Sequence, residues 1–326
     1  MRLMLKASMY HYVQPFNERL PFFKNLHIED FCTQLDYFER EFGFVRKQDF
    51  LDAFHTGKLP EGIILTFDDG LKSHYQYVLP ELIKRKLWGI FYIPTAPYTH
   101  TKILDVHRIH LILGIAPATA VYRKLIAMVS DDMLPGTLVS DFREWPYHLQ
   151  EDDDHTKRVK QILNYYISYE FRESVIDQLM AYFVPDDIND VHGFYLTSDE
   201  TAELAREGMI IGSHTHSHPL MSKLNALQQR EEIEKSFGCL ERIIGKSDHR
   251  TFCYPYGGFH SFTDETERIL TDQKVQYSFN VEHRDITRDD ILQRPQALPR
   301  YDCNHFPFGQ CRAAQHQGTV RKGGVG

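Results

Sequence analysis

Short apolar runs bounded by helix breakers alternate along this chain with amphipathic segments, and this alternation restricts the possible folds. The apolar runs predict β-strands at residues 6–13, 62–67, 88–93, 209–211, 251–254 and 275–281. Between them, hydrophobic side chains recur every three or four positions in predicted helices at 28–42, 74–86, 198–207 and 227–244. Strands that alternate with helices form parallel sheets, so we predict an α/β fold whose functional loops follow the carboxyl ends of the strands.

The alternation is interrupted between residues 97 and 191, where the sequence becomes helical, polar and acidic. This stretch includes the acidic run 151–154 and a long amphipathic run at 157–183. Because the strands needed to close the sheet resume only afterwards, we predict a helical insertion or lid at 97–191 within one domain of residues 1–309. A separate domain is the alternative. Residues 310–326 are predicted to form a polar C-terminal tail.

Composition and charge exclude several classes of function. The chain has 326 residues, 42% of them hydrophobic, which is enough for a large core. Its net charge is -8 and its basic residues are scattered, so neither nucleic acid nor an anionic membrane is the expected partner. We see no signal-peptide pattern and no apolar run long enough to span a bilayer, and therefore expect a cytoplasmic protein without an integral membrane segment. The oligomeric state is left open.

Five cysteines are widely spaced and form no CxxC pair. An odd set of this kind indicates neither a disulfide framework nor a cysteine-based zinc site, so reduced thiols are expected.

Two adjacent carboxylates follow the predicted strand at 62–67, in the sequence Thr66-Phe67-Asp68-Asp69-Gly70. Neighbouring carboxylates that share a pocket repel each other, and a divalent cation compensates this repulsion most directly. An ordinary turn with a helix N-cap explains Asp-Asp-Gly equally well.

A histidine cluster at 214–218, His-Thr-His-Ser-His, follows the predicted strand at 209–211. If the chain coils there, His214 and His218 lie on one face within reach of one ion, whereas an extended chain would place all three histidines on one side. Pro219 disfavours a regular helix at His218, so we favour a single irregular turn, with a solvated loop as the alternative. One aspartate and two histidines with open positions for water suit zinc and other borderline divalent ions.

With these motifs the sequence resembles the polysaccharide deacetylases, the carbohydrate esterase group with NodB homology. The resemblance is carried by residues 66–70, by the His-Thr-x-x-His pattern at 214–218 and by Tyr254-Pro255-Tyr256-Gly257, in the order of the family. It covers about 6–93 and 196–308 and leaves out the insertion. It implies a distorted (β/α) barrel with the site at the carboxyl-end rim.

The resemblance also implies a role for each motif. Asp69, His214 and His218 would bind the metal, and Asp68 would be the general base that activates a metal-bound water. The backbone at Tyr256 and Gly257 would donate hydrogen bonds to the tetrahedral oxyanion.

This chain departs from the family pattern at two places. Where relatives often carry an arginine before the Pro-Tyr-Gly loop it has Cys253, and we predict that Arg300 supplies the positive charge from another strand. The late Leu-x-His motif that provides a general acid has no clear match. His11, at the end of the first strand, is the first candidate for this acid, ahead of His283 and His305; a structural role is the alternative for all three.

The predicted function is that of a metal-dependent hydrolase, with zinc as the best suited cation, that removes an N-acetyl group from an amino sugar. The expected substrate is a small saccharide, such as a precursor of a surface polysaccharide. Two alternatives stay open: hydrolysis of a non-sugar amide or formamide on the same fold, and a catalytically silent sugar-binding or assembly protein.

Overall fold

The computed structural model describes residues 4–100, 102–134, 152–247 and 249–314. The chain divides into two compact units. The first consists of Met1–Pro15, Asn25–Thr101 and His192–Cys311, and the second of Phe16–Lys24, Lys102–Val191 and Arg312–Gly326. Residues 135–151 of the predicted insertion and residues 315–326 of the predicted tail lie outside the described residues.

The first unit contains a sheet of seven parallel strands. They are β1 (Leu5–Tyr10), β2 (Gly62–Asp68), β3 (Ile90–Ile93), β4 (Ile210–Ser213), β5 (Thr251–Cys253), β6 (Tyr277–Phe279) and β7 (Tyr301–Asp302). Their order in the sheet is β6-β5-β4-β3-β2-β1-β7, and each neighbouring pair is parallel. The first six strands correspond to the six predicted ones, with shifted ends, and β7 was not predicted.

The segment before and through β7 links the two ends of this sheet. Leu298 forms a parallel bridge with Phe279 at the end of β6, and Tyr301 pairs with Ser8 of β1. The sheet therefore curls into a distorted barrel, and the predicted (β/α) barrel is confirmed.

Helices surround the barrel and connect its strands. Their bounds are Ile28–Glu41, Lys47–Thr56, Leu79–Arg85, Ser198–Arg206, Ala226–Ile244, Asp264–Asp272 and Arg288–Gln293, with a π-helical turn at His74–Val78 before the third. The helices at 47–56, 264–272 and 288–293 were not predicted. Ser198–Arg206 and Ala226–Ile244 each begin with a capping box, formed by Thr197 with Glu200 and by Asn225 with Gln228.

Side chains alternate along each strand between the inside of the barrel and the surrounding helices. One apolar cluster collects every second residue from several strands, including Ala7, Ile64, Tyr92 and Phe279. The intervening residues, such as Phe67, pack with the outer helices in a second cluster. The inward-facing rows end at the carboxyl rim in polar residues.

The second unit is helical among the residues that the structure describes. Its helices are Asp105–Ile115, Ala118–Ile126, Asp154–Gln161 and Tyr169–Phe183, with a π-helical turn at Ile162–Tyr166; a short helix, Val191–Phe194, lies at its boundary in the chain with the first unit. We propose that this unit is an insertion into the barrel, because its longest piece lies in the chain between β3 and β4. No helix in the described parts of the protein is both long and apolar enough to cross a bilayer.

Candidate active site and metal centre

Asp68 is the last residue of β2, and its buried carboxylate forms an ion pair with Arg300. Arg300 Nη1 donates to Asp68 Oδ1 at 2.8 Å and to Thr66 Oγ1 at 3.0 Å, while Nη2 donates to Asp68 Oδ2. Such fork-like pairing fixes the plane of the carboxylate as well as its charge. The structure thus brings Arg300, from the segment before β7, to the carboxylate predicted to be the base.

Cys253 contacts both members of this ion pair. Its Sγ accepts a hydrogen bond from Arg300 Nη2 at 2.7 Å and lies 3.5 Å from Asp68 Oδ2, to which the thiol donates. Burial opposes ionisation of Asp68, but the charge and hydrogen bonds of Arg300, together with the nearby imidazoles of His214 and His11, outweigh it, so the pKa of Asp68 is lowered. Burial likewise opposes the charge of Arg300, and Asp68 raises its pKa nonetheless. The two groups form a buried, charged pair.

Asp69 turns away from this pair towards the histidine cluster. Its φ of 79° lies in the left-handed region, which residues with a side chain rarely adopt. Its Oδ1 lies 3.5 Å from His214 Nε2 and 3.5 Å from His218 Nε2. All three side chains are buried. The three predicted ligands therefore lie together, with both Nε2 atoms facing the same carboxylate oxygen.

The two imidazoles are held in defined orientations. His214 Nδ1–H donates to the carbonyl oxygen of Cys253 at 2.8 Å, so Nε2, the atom that faces Asp69, is the nitrogen that a cation would use. The ring of His218 packs edge-on against those of His214 and Tyr256, with centroids 4.8 and 5.0 Å away. These contacts fix the rings without using the nitrogen that a cation requires.

The distances between the three donors fit a zinc ion. Zinc binds carboxylate oxygens and imidazole nitrogens at about 2.0–2.2 Å, so ligand atoms of a tetrahedral site lie about 3.4 Å apart. The 3.5 Å separations from Asp69 Oδ1 match this length, and all three ligand atoms lie within 4.8 Å of one another. Asp68, His214 and Cys253 meet the same 4.8 Å limit, but the guanidinium bound to two of them would repel a cation.

The histidine cluster follows β4 in a single irregular turn. Thr215 and His218 both have positive φ, 66° and 59°, and Thr215 Oγ1 accepts a hydrogen bond from the N–H of His218 at 3.0 Å. The side chain of His216 lies away from the two ligands, because its Nδ1 hydrogen-bonds Thr95 Oγ1 at 2.9 Å. This turn allows the side chains of residues 214 and 218 to face Asp69 Oδ1 together.

His11, the predicted acid, lies beside both carboxylates. Its Nε2 is 3.9 Å from Asp68 Oδ2 and 3.9 Å from Asp69 Oδ2, and its side chain is 38% exposed. The carbonyl oxygen of His11 accepts a hydrogen bond from His74 Nε2–H at 2.7 Å. Burial lowers the pKa of His74 to about 4, so this ring is neutral.

Sequence reasoning missed His74. It lies on the first turn of the π-helical segment, and no local pattern marks its contact with a residue 63 positions earlier. The two weaker candidates for the acid are placed differently. The rings of His283 and His305 lie against each other, with centroids 3.6 Å apart, and next to Tyr301.

The loop after β5 holds the predicted oxyanion donors. Tyr256 and Gly257 both have positive φ, 67° and 58°. The N–H of Gly257 donates to the carbonyl oxygen of Tyr254 at 3.3 Å, so this predicted donor is used within the turn. A Cβ atom at Gly257 would lie 2.3 Å from Val281 Cγ2, so glycine is needed here for space as well. The role of Tyr256 as an oxyanion donor stays a prediction.

Comparison with known proteins gives a consistent family. Residues 153–278 match the model of the family described as polysaccharide deacetylase. The match includes the histidine cluster and the Tyr254–Gly257 loop and ends well after them, whereas the paired aspartates lie outside it. A comparison with curated protein sequences gives no match.

Several solved structures share the fold. The deacetylase PplD of Streptococcus pyogenes, solved with acetate, has 15% identity and a TM-score of 0.57, with 92% of each chain covered. IcaB of Ammonifex degensii has 18% identity and a TM-score of 0.55, with 92% of this chain and 91% of IcaB covered. A de-N-acetylase of Aggregatibacter actinomycetemcomitans has 15% identity and a TM-score of 0.51, covering 91% of this chain and 94% of its own. The family match over residues 153–278 and the shared fold both agree with the motifs by which this chain resembles the polysaccharide deacetylases.

Proposed function

We propose that this protein is a metal-dependent hydrolase that removes the N-acetyl group of an amino sugar. The observation that carries the proposal is the convergence of His214 Nε2 and His218 Nε2 on Asp69 Oδ1, at 3.5 Å each, beside a second carboxylate that faces Arg300. A divalent cation bound by these three residues, best fitted by zinc, would act as a Lewis acid towards the acyl carbonyl and the attacking water.

Asp68 is the group that accepts a proton from the attacking water. Its lowered pKa keeps it ionised near neutral pH, and Arg300 orients its carboxylate. Water adds its oxygen to the acetyl carbon, the bond from that carbon to nitrogen breaks, and the products are acetate and a free amine. Arg300 also balances the charge of Asp68, so the carboxylate can remain ionised while buried.

A second group must give a proton to the departing amine nitrogen. His11 is the candidate, because its Nε2 lies 3.9 Å from each carboxylate and its side chain reaches solvent. The N–H of Tyr256 is the candidate donor to the oxygen of the tetrahedral intermediate.

The comparisons support acetamido sugars as the substrate class. One structure with this fold is called a de-N-acetylase and another was solved with acetate, the expected product. We further propose that the substrate is a short saccharide, such as a precursor of a surface polysaccharide. A series of N-acetylglucosamine monomer, nucleotide-linked sugar, oligomers of two to six units and long polymer tests this choice, since the long polymer is expected to be the poorest.

Acetate release tests the reaction itself. Zinc-loaded protein is expected to release acetate from members of this series. Asp68→Asn should release it about 10²–10⁴ times more slowly while still binding one zinc ion, because proton transfer is lost while Asp69, His214 and His218 are unchanged. Asp49→Asn, which changes a partly exposed aspartate of the helix at 47–56, serves as the control.

Three results would contradict the proposal. Equal activity of zinc-free and zinc-loaded protein would exclude the metal-dependent reaction. Release of formate from formamides, without acetate from any sugar, would favour hydrolysis of a non-sugar amide. Saccharide binding without acetate release from any member of the series would favour a silent binding protein.

A further inference from the structure

The turn that presents the two histidines is held from outside by a carboxylate, that of Glu232. Glu232 lies in the helix Ala226–Ile244, and its Oε2 accepts hydrogen bonds from the N–H groups of His216 and Ser217 at 2.9 and 2.8 Å. Its Oε1 accepts a third, from Ser217 Oγ at 2.7 Å. Both bonded residues lie between the two ligand histidines in the sequence.

The opposite side of the same turn is bonded to the chain that follows β3. The N–H of Ala96 donates to the carbonyl oxygen of His216 at 2.8 Å, and the N–H of Thr95 donates to that of Thr215 at 3.3 Å. The turn is therefore tied on one side to the chain after β3, by these main-chain bonds and by the Thr95 Oγ1–His216 Nδ1 bond, and on the other side by the carboxylate of Glu232. The tie to Glu232 comes from a helix outside the barrel wall, and a single substitution removes it.

The turn needs such ties, because its backbone is strained. Thr215 and His218 adopt left-handed conformations that side chains disfavour, and a conformation of this kind persists only where surrounding contacts impose it. A carboxylate that accepts two successive N–H groups and a hydroxyl imposes it directly. Without it, His216 and Ser217 would exchange these bonds for water, and the separation of the two ligand rings would no longer be fixed.

We propose that Glu232 is a positioning residue of the metal centre, which holds the 214–218 turn so that both Nε2 atoms converge on Asp69 before an ion binds. The inference rests on the proposed metal centre, and not on which bond the protein hydrolyses. Glu232 acts here through its hydrogen bonds and not through its charge.

Two conservative substitutions of Glu232 separate the effect of its hydrogen bonds from the effect of its charge. Glu232→Gln loses the charge, but its amide oxygen still accepts from both N–H groups and its amide nitrogen donates to Ser217 Oγ. Glu232→Asp keeps the charge on a side chain one methylene shorter, which cannot reach the turn in the same way. Glu232→Ala removes both. Glu231→Gln, at the adjacent position paired with Lys235, is the matched control.

Zinc affinity and amide exchange are the two measurements. Zn²⁺ affinity is obtained by competition with a chromophoric chelator, and hydrogen exchange of residues 216 and 217 is followed in the zinc-free protein by peptide mass spectrometry. Glu232→Ala and Glu232→Asp should bind Zn²⁺ about 10–100 times more weakly, the usual effect of removing a group that orients a ligand. Both should exchange the two amides faster. Glu232→Gln and Glu231→Gln should stay within about threefold of wild type in affinity, and close to it in exchange.

Each alternative outcome has a definite meaning. If Glu232→Gln binds Zn²⁺ as weakly as Glu232→Ala while Glu232→Asp is normal, the residue acts by charge and the inference is wrong. Wild-type affinity in both Glu232→Ala and Glu232→Asp would also overturn it; if the first does not fold, the second alone decides. Wild type that binds no Zn²⁺ overturns the inference together with the metal centre. Wild type that shows the whole pattern but releases no acetate leaves the inference standing and refutes the proposed reaction.

Discussion

Replacing Arg300 by methionine tests the energetic basis of the site. The guanidinium is 1% exposed and donates to Asp68, Thr66 and Cys253. Methionine keeps an unbranched apolar stem but is shorter, and it leaves the carboxylate of Asp68, itself 2% exposed, without its counter-charge. Removing one partner of a buried ion pair costs about 3–5 kcal/mol, because the remaining charge is neither solvated nor paired. We expect a loss of this size in the free energy of unfolding.

The double substitution shows whether the loss of unfolding free energy comes from the ion pair of Asp68 with Arg300. Asp68→Asn alone leaves Arg300 buried and unpaired, and is expected to be destabilising for the same reason. The double variant Asp68→Asn/Arg300→Met carries neither charge. Its loss of unfolding free energy should therefore be smaller than the sum of the two single losses. The difference, the coupling free energy, should amount to about 2–3 kcal/mol in favour of the pair.

Urea denaturation of the four zinc-free proteins, followed by circular dichroism, provides these free energies. Arg46→Met, which breaks the exposed pair of Arg46 with Asp49, is the control and should leave the unfolding midpoint unchanged within error. The reasoning is refuted if Arg300→Met destabilises by less than about 1 kcal/mol, or if the two single losses add to within about 0.5 kcal/mol.

Four further predictions follow from the same geometry. Gly257→Ala should lower the free energy of unfolding by about 1–3 kcal/mol, because its Cβ would strike Val281 and its φ is positive; a melting temperature equal to wild type would contradict this. Cys253→Ser should still bind one zinc ion per chain, and loss of the ion by atomic absorption would indicate that the thiol is a ligand. Zinc at about 1,000 times its dissociation constant should stabilise the protein by about 4 kcal/mol, so calorimetry should show a higher melting temperature than with a chelator; equal temperatures would exclude a structured ion site. His11→Gln should slow hydrolysis of the amide about 10²–10⁴-fold but leave 4-nitrophenyl acetate nearly unaffected, since a phenolate departs without a proton; equal losses would exclude His11 as the acid.

The barrel was predictable because most of its strands carry a local signal. Gly62–Asp68 is a buried apolar run next to breakers, and such a run identifies a strand without knowledge of its neighbours. β7 has two residues, too few for any period, and exists only through its pairing with Ser8 and Met9 of β1. The helix Arg288–Gln293 is six residues long, which is equally short for a helical pattern.

The candidate site divides in a similar way. The aspartates and histidines could be identified from the sequence because each group is contiguous and follows a predicted strand. Glu232 and His74 could not be identified in this way, because their contacts are hydrogen bonds to the backbone of distant residues. Glu232 bonds the turn 15 and 16 positions earlier, and His74 bonds a carbonyl 63 positions earlier. Arg300 is an intermediate case. The resemblance to the family pattern indicated that a positive charge is needed, whereas the fork-like contact of Arg300 with Asp68 depends on how the barrel closes.

The different directions of the two aspartates have a backbone cause. Successive side chains of a strand face opposite sides, so continuation of β2 would place Asp69 outside the barrel while Asp68 faces its interior. The left-handed φ of Asp69, followed by a φ of 59° at Gly70, turns the chain instead. A Cβ at Gly70 would lie 2.9 Å from Ile93 Cγ2, so the turn needs a glycine at this position.

This turn also limits the electrostatic repulsion between the two carboxylates, because each of them faces a different partner. Two buried carboxylates on adjacent residues repel each other, and the cost is removed only if each has its own positive partner. Asp68 has the guanidinium of Arg300, which keeps it charged and unable to pick up a second cation readily. Asp69 has the two imidazole nitrogens, which are neutral donors when they bind a metal and leave the positive charge to the ion. With the proposed ion bound, the counter-charge of Asp68 would be fixed and that of Asp69 exchangeable, so the adjacent carboxylates could take different roles in the proposed reaction.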